Sequence, residues 1–199
     1  YEIACLITLE SENKNSFMFH TPSISRTREQ ASAMGIPLIV QKTRGDKEDE
    51  LKELEKAIKI AVDKYKIEGI VTGTLNSVYQ ASRIQNICNK LRLECFNPLW
   101  LKDQIELLQE LVKNKFEVFI TGVAAYPLNE KWPGRKINKK FIEDVKELFK
   151  KYKINPAGEG GEFESFFLFA PGLFKKRLKV KSFKDFGEKN SWRREIELK

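Results

Sequence analysis

The sequence predicts an α/β protein, in which a parallel sheet flanked by helices is followed by a smaller C-terminal α+β domain. Over the first 123 residues, short apolar segments alternate with longer ones whose apolar residues recur at spacings of three and four. This alternation is typical of strands joined by amphipathic helices, and therefore of a parallel sheet. After Val123 the alternation stops, so we place the domains at residues 1–123 and 124–199.

The elements of the first domain follow one another in regular order. Strands are predicted at residues 3–9, 36–40, 69–73, 94–96 and 117–123. Helices are predicted between them, at residues 23–34, 46–66, 79–93 and 104–114. Gly35 suits the left-handed turn that ends the first helix. The second helix is the clearest, because Leu51, Leu54, Ile58 and Val62 share one face.

The second domain is predicted to begin with a loop at residues 124–138, which contains two prolines and a glycine. The helix that follows has Phe141, Val145 and Leu148 on its inward face. A strand is then predicted at residues 165–170. The chain is predicted to end in a hairpin with arms at residues 175–183 and 191–199, turning over residues 184–190.

Composition and charge narrow the classes of function. No apolar segment approaches the ~20 residues that span a bilayer. The three cysteines form no C-x-x-C pair, which favours reduced thiols in a cytoplasmic protein. One histidine and no Cys/His cluster make no case for a zinc site. The net charge is +8, and residues 175–199 hold ten basic and four acidic residues. This tail suits an acidic partner such as nucleic acid, or it is a solvated hairpin.

The loops that follow the predicted strands carry the residues suited to a ligand. The carboxyl ends of parallel strands lie at one edge of a sheet, where open α/β sheets bind ligands. Gly73 would let a ligand approach closely, hydroxyls at a helix start suit anionic oxygens, and Arg83 could reach a phosphate. The candidates on these loops are His20, Gly73, Thr74, Ser77, Gln80, Arg83, Trp100, Tyr126, Trp132 and Arg135.

Each of these candidates also has a local explanation. Ser77 could cap the helix and Arg83 could form a surface ion pair. His20 could be a hydrogen-bonded structural residue, and the tryptophans could anchor their loops. Four such loops at one edge favour a binding site.

A second candidate site is the segment at residues 158–164, which reads GEGGEFE. Gly160 and Gly161 could adopt positive φ and present consecutive N–H groups as an anion nest. Three glutamates would oppose an anion and better suit a cation, ammonium or an amine, or magnesium beside phosphates. They are Glu159, Glu162 and Glu164. The alternative is a glycine turn with solvated glutamates.

Four of these segments resemble a known family. They are residues 69–84, 98–100, 121–135 and 157–166, the last reading AGEGGEFESF. They resemble the diphthine–ammonia ligases, which are N-type ATP pyrophosphatases with an adenine-nucleotide alpha-hydrolase-like fold. The resemblance runs in order along essentially the whole chain, and residues 16–21 and 30–38 also fit its amino-terminal half.

The resemblance implies a reaction and its participants. Diphthine is a modified histidine of translation elongation factor two and carries a carboxylate. ATP, with Mg²⁺, would adenylate that carboxylate, and ammonia would then displace AMP to give diphthamide. A cytoplasmic ATP-dependent ligase is therefore implied, with elongation factor two and ammonium as substrates.

The resemblance also implies roles for residues. Gly73, Thr74, Ser77, Gln80 and Arg83 would belong to the nucleotide site. Glu159, Gly160, Gly161, Glu162 and Glu164 would lie at the diphthine or ammonia end, with the three glutamates as catalytic residues and the two glycines as substrate-binding residues. Trp100, Tyr126, Trp132 and Arg135 would form walls of the same cleft.

One family feature is absent from the sequence. The family's phosphate loop has the pattern S-G-G-x-D-S, and no such stretch occurs in these 199 residues. The apolar strand beginning almost at Tyr1 leads us to expect further residues before it. Two alternatives stay open: a related tRNA-modifying enzyme of the same fold, or a non-catalytic nucleotide-binding module.

Overall fold

The structure is a computed structural model, and it describes residues 1–11, 24–44 and 47–199. Its strands are β1 Leu6–Ser11, β2 Leu38–Thr43, β3 Gly69–Val71, β4 Glu94–Phe96, β5 Glu117–Val123, β6 Phe163–Phe169, β7 Val180–Glu188 and β8 Ser191–Leu198. Its α-helices are α1 Thr27–Met34, α2 Lys47–Tyr65, α3 Val78–Leu91, α4 Gln104–Lys113 and α5 Lys139–Tyr152. A single 3₁₀ turn at Ile24–Arg26 precedes α1.

The chain divides into two compact units. The first consists of Tyr1–Ile24 and Ile36–Leu101, and the second of Ser25–Gly35 and Lys102–Lys199. This division by contacts falls after residue 101, whereas the predicted domain boundary falls after residue 123. By this division α1, α4 and β5 belong to the second unit.

The first unit contains two pairs of parallel strands with helices packed against them. β1 pairs with β2, and β3 pairs with β4. Leu9 of β1 and Ile70 of β3 belong to one apolar cluster with Ile58 of α2 and Ile87 of α3. The predicted α/β class, with parallel strands flanked by helices, is confirmed for this unit.

The second unit is an antiparallel sheet with strand order β6-β5-β8-β7. The prediction that β5 would be the last strand of the parallel series is wrong, because β5 runs antiparallel to both β6 and β8. The prediction failed because β5 is covered on both faces, as parallel strands usually are. Val118 and Ile120 pack in one cluster with α4 and α5, while Phe119 packs in another with Ala33 of α1.

The terminal hairpin is longer than predicted and its turn is shorter. β7 and β8 pair from Val180 with Leu198 to Glu188 with Ser191, which leaves a two-residue turn at residues 189 and 190. Residues 184–188, predicted as part of the turn, are therefore strand. Their polar composition reflects the position of β7 at the sheet edge, where nearly every side chain is exposed. Within the described residues, no helix has the length and apolar character needed to cross a membrane.

Candidate functional site

The carboxyl ends of β3 and β4 meet in a small polar cluster. The backbone N–H of Thr72 donates to the carbonyl of Phe96 at 3.0 Å. The Thr72 hydroxyl donates to the side-chain carbonyl oxygen of Asn97, and it lies 3.1 Å from the Thr74 hydroxyl. The loops that follow these two strands therefore lie side by side, as the parallel arrangement predicted.

A second backbone hydrogen bond joins the loops that follow β3 and β4, further along the chain. The N–H of Leu101 donates to the carbonyl of Leu75 at 2.7 Å, and the N–H of Trp100 donates to Asn97 at 3.0 Å. Trp100 itself is 37% exposed. The structure therefore places Trp100 at the same strand-end edge as Gly73 and Thr74.

Gly73 lies next to space that no described residue fills. A Cβ atom built on it meets no heavy atom of the described residues within 4 Å, and its φ is not positive. Neither its own backbone nor a described neighbour requires glycine here. Because the described part of the fold does not require glycine at position 73, its presence is consistent with a ligand that approaches the backbone closely.

The side chain of Ser77 caps the start of α3. The Ser77 Oγ accepts a hydrogen bond from the N–H of Gln80 at 3.3 Å, so the predicted cap is present. One of the free N–H groups at this helix end is thereby used, while the helix dipole still favours an anion nearby.

Arg83 packs along Tyr79 one turn further into α3. Its guanidinium carbon lies 3.4 Å from the centroid of the Tyr79 ring, and Nη1 donates to the Tyr79 carbonyl at 3.3 Å. In the part of the chain that the structure describes, the buried Nε has no hydrogen-bond partner and Arg83 forms no ion pair. The predicted surface ion pair is therefore absent from the described contacts.

The acidic segment is organised around the carboxylate of Glu162. Oε1 accepts hydrogen bonds from the backbone N–H and the side-chain amide of Asn155, both at 2.9 Å. Oε2 accepts from the N–H of Gly160 at 2.8 Å. The N–H of Gly161 donates to the carbonyl of Gly158 at 2.9 Å. The N–H groups predicted to bind an external anion are thus satisfied within the loop.

Two glycines of this loop have positive φ, and the third lies close to the Glu162 carboxylate. Gly158 and Gly161 have φ of 76° and 78°, the left-handed region that glycine occupies without strain. Gly160 does not have positive φ, contrary to expectation. A Cβ on Gly160 would lie 2.9 Å from both carboxylate oxygens of Glu162, so a larger residue there would displace the end of that side chain.

The acidic loop lies beside the loop that follows β5. Gly122 of β5 pairs with Glu164 of β6, and the N–H of Ala124 donates to the Glu162 carbonyl at 2.8 Å. Tyr126 follows directly, is 65% exposed, and its ring meets Tyr152 edge-on at 5.4 Å. Tyr126 therefore lies on the surface close to the acidic loop.

Trp132 and Arg135 are tied into the second unit. The Arg135 guanidinium lies 4.2 Å from the Trp132 ring centroid and pairs with the Asp144 carboxylate. Lys140 approaches the other oxygen of Asp144 at 2.8 Å. The hydrogen bond from Lys140, with that from Arg135, lowers the pKa of Asp144. Trp132 and Arg135 therefore anchor the loop that follows β5. For Trp132, this is the local explanation that was considered in the sequence analysis.

The candidates fall into one group in each unit. Gly73, Thr74, Ser77, Gln80, Arg83 and Trp100 belong to the first unit. Tyr126, Trp132, Arg135, Glu159, Gly160, Gly161, Glu162 and Glu164 belong to the second. His20 lies outside the described residues. No group of three or more His, Cys, Asp or Glu side chains suited to a metal ion occurs among the residues searched, which are the described ones.

Three residues of these sites were missed from the sequence. Thr72 and Asn97 link the strand ends, and Asn155 holds Glu162. The signal for the first two was available, because Asn97 directly follows the strand predicted at residues 94–96 and Thr72 lies near the end of the one predicted at residues 69–73. Asn155 lies seven residues before Glu162, in a stretch that carries no periodic pattern.

Comparison with known proteins gives a consistent result along the chain. Residues 1–95 match the family described as "Diphthamide synthase N-terminal domain", and residues 103–197 match "Diphthamide synthase C-terminal domain". The chain is 34% identical to a diphthine–ammonia ligase of Mus musculus over 87% of this chain and 69% of the relative. It is 33% identical to that of Homo sapiens, over 86% of this chain and 68% of the relative. For the enzyme of Schizosaccharomyces pombe the identity is 30%, over 89% of this chain and 32% of the relative.

Proposed function

Because this chain belongs to the family of diphthine–ammonia ligases, we propose that it joins ammonia to diphthine in the final ligation of diphthamide biosynthesis. It is an ATP-dependent ligase on this assignment. The protein substrate is translation elongation factor two, which places the enzyme in the cytoplasm. The observation that carries the proposal is the family match along both halves of the chain.

The reaction we propose has two steps. A carboxylate oxygen of diphthine attacks the α-phosphorus of ATP, and pyrophosphate leaves. The nitrogen of ammonia then attacks the acyl carbon, the C–O bond to AMP breaks with its electron pair, and the nitrogen loses a proton. Activation is needed because a free carboxylate is a poor electrophile. The protein's part is to position the reactants and to neutralise charge.

ATP is assigned to the strand-end edge of the first unit. The open space beside Gly73, the hydroxyls of Thr72 and Thr74 and the start of α3 suit phosphate oxygens. The buried Nε of Arg83 has no hydrogen-bond partner among the described residues, and we assign its guanidinium to the same ligand. Ser77 and Gln80 shape the helix start, Trp100 borders the edge, and His20 is assigned to ATP from the sequence alone. Mg²⁺ would arrive with the triphosphate, which suits its preference for phosphate oxygens and water.

The acidic loop of the second unit is assigned to the diphthine and ammonia end. Glu159 and Glu164 supply negative charge that suits ammonium. Glu162 gives the loop its shape through Asn155 and Gly160, so its contribution is to position the loop. Gly161 is needed for the turn. Tyr126 borders this loop, and Trp132 with Arg135 fixes the neighbouring segment.

The test is an assay of AMP release with ATP, ammonium and diphthine-bearing elongation factor two. AMP that appears only when both ammonium and the factor are present supports the proposal. AMP formed with tRNA in place of the factor would support the related tRNA-modifying enzyme, and ATP binding without turnover would support a non-catalytic module. The assay should compare this chain with one extended by any residues that the gene encodes before Tyr1. Activity of the extended chain alone would assign the phosphates to an S-G-G-x-D-S loop in that extension.

A further inference from the structure

A pocket of about 470 Å³ opens on the second unit, where β5 begins and β6 ends. Residues from α4, β5, β6 and the start of α5 surround it. Its lining consists of Val112, Lys115, Phe116, Glu117, Lys136, Ile137, Asn138, Phe169, Pro171 and Arg177. A volume of this size accommodates a small organic ligand.

The charged residues of the lining do not balance. Glu117 is the single carboxylate, and its Oε1 lies 2.9 Å from Nη1 of Arg177 and 3.7 Å from Nζ of Lys136. Lys115 forms no ion pair in the part of the chain that the structure describes. Arg177 and Lys136 therefore share one carboxylate, and the three cations of the lining exceed its described carboxylate by two positive charges.

Apart from Asn138, the rest of the lining is apolar and partly aromatic. Ile137 is 5% exposed, and Phe116 and Phe169 are half-buried beside it. The guanidinium carbon of Arg177 lies 4.8 Å from the Phe169 ring centroid, so the cation is held over the aromatic ring. A cationic rim thus stands next to a surface suited to a flat apolar group.

This pocket is separate from the acidic loop of the same unit. Glu117 pairs with Phe169 at one end of the β5–β6 ladder, and Val123 pairs with Phe163 at the other. Six residues of strand span about 20 Å. The acidic loop adjoins the Phe163 end, so a ligand in the pocket would not touch it. Ligand binding in this pocket is therefore independent of the proposed ligase activity.

We propose that this pocket binds a small phosphomonoester that carries an aromatic group. A phosphate monoester holds nearly two negative charges at neutral pH, which matches the two unbalanced cations, whereas a single carboxylate would balance only one. The planar guanidinium of Arg177 and the ammonium groups of Lys115 and Lys136 suit phosphate oxygens. The aromatic group packs against Phe116 and Phe169.

Phenyl phosphate is a direct probe, with phenol and inorganic phosphate as its two halves. In a ¹H–¹⁵N NMR titration, saturable shifts are expected at the amides of Glu117, Lys136, Asn138 and Phe169. Lys136→Gln and Arg177→Gln should each weaken phenyl phosphate about tenfold, the loss expected for one charge-assisted hydrogen bond. Lys176→Gln is the matched control, because Lys176 is exposed next to Arg177 but does not line the pocket.

Three results would overturn the proposal. The first is the absence of shifts at these four amides with millimolar phenyl phosphate. The second is equal affinity of Lys136→Gln and Lys176→Gln, a comparison that stays decisive even if Arg177→Gln loses stability with its Glu117 pair. The third is binding of phenol or of inorganic phosphate as tight as that of phenyl phosphate.

Discussion

The backbone N–H and the side-chain amide of Asn155 both donate to Oε1 of Glu162, each at 2.9 Å. With the bond from Gly160 to Oε2, the loop encloses a carboxylate of its own. An anion nest and an acidic residue looked incompatible in the sequence, but here the acidic residue fills the nest. A ligand that used the Gly160 N–H would have to displace Glu162.

Replacing Glu162 with glutamine is expected to loosen this loop. A glutamine amide offers one acceptor oxygen, so either Asn155 or Gly160 loses its bond and faces an N–H₂ group. We expect the free energy of unfolding to fall by about 1 to 2 kcal/mol, as measured by urea denaturation. Hydrogen exchange at residues 155–161 should become faster.

Asn155→Ala is the matched control, since it removes only the side-chain donor to Glu162. If Glu162 acts by positioning the loop, ligation by the two variants should fall in proportion to their loss of exchange protection. Ligation that collapses only in Glu162→Gln, with equal protection, would instead assign the carboxylate to the chemistry. A Glu162→Gln protein with wild-type stability and exchange would contradict the geometry.

Gly73→Ala is expected to leave the fold intact and to weaken ATP binding. The added methyl group meets no described neighbour within 4 Å, so the melting temperature should stay close to that of the wild type. If ATP occupies this space, its dissociation constant, measured by calorimetry, should rise about tenfold or more.

Gly158→Ala is the contrasting variant for Gly73→Ala. Its φ is 76° and its Cβ would lie 2.7 Å from the Phe163 carbonyl oxygen, so we expect it to destabilise the protein by more than about 1 kcal/mol. Unchanged ATP affinity of Gly73→Ala would remove Gly73 from the nucleotide site.

Arg83→Gln is expected to weaken ATP binding roughly tenfold by removing a charge-assisted bond. Its effect on stability should be small, because the hydrogen bond and the ring contact of Arg83 among the described residues are both to Tyr79. Arg92→Gln, at the exposed end of the same helix, changes the charge equally. Equal ATP affinities of these two variants would restrict Arg83 to packing on Tyr79.

The helices and parallel strands could be predicted because their apolar periodicity is local. Gly35, predicted to end the first helix, has the expected φ of 71° and donates to the carbonyl of Ala31. β5 could not be assigned to its sheet, because burial on both faces has the same pattern whether the neighbours are parallel or antiparallel. The length of β7 was underestimated, because an exposed edge strand has the same polar composition as a turn.

The sites could be predicted as segments but not as contacts. Ser77 caps α3, which is the local alternative considered for it, and the strand-end loops of β3 and β4 meet. Whether the loop's N–H groups bind an external anion or Glu162 depends on how the backbone closes from residue 155 to residue 162. Residue types and spacing leave that closure open, and so they could not assign the role of Glu162.

The Asp144 ion pairs should make stability depend on pH in acid. The hydrogen bonds from Lys140 and Arg135 lower the pKa of Asp144 in the folded state. A lowered folded pKa means that the contribution is complete above the unfolded pKa, about 3.9 for aspartate. It is lost as pH falls through the folded pKa. At pH 7, Asp144→Asn should therefore lower the free energy of unfolding by about 1 to 2 kcal/mol. The difference from wild type should shrink when urea denaturation is repeated near pH 3.

Glu143→Gln, an exposed neighbour on α5, is the control for Asp144→Asn and should show little difference from wild type at either pH. A gap between Asp144→Asn and wild type that stays the same at both pH values would contradict the ion pairs as the source of that stability.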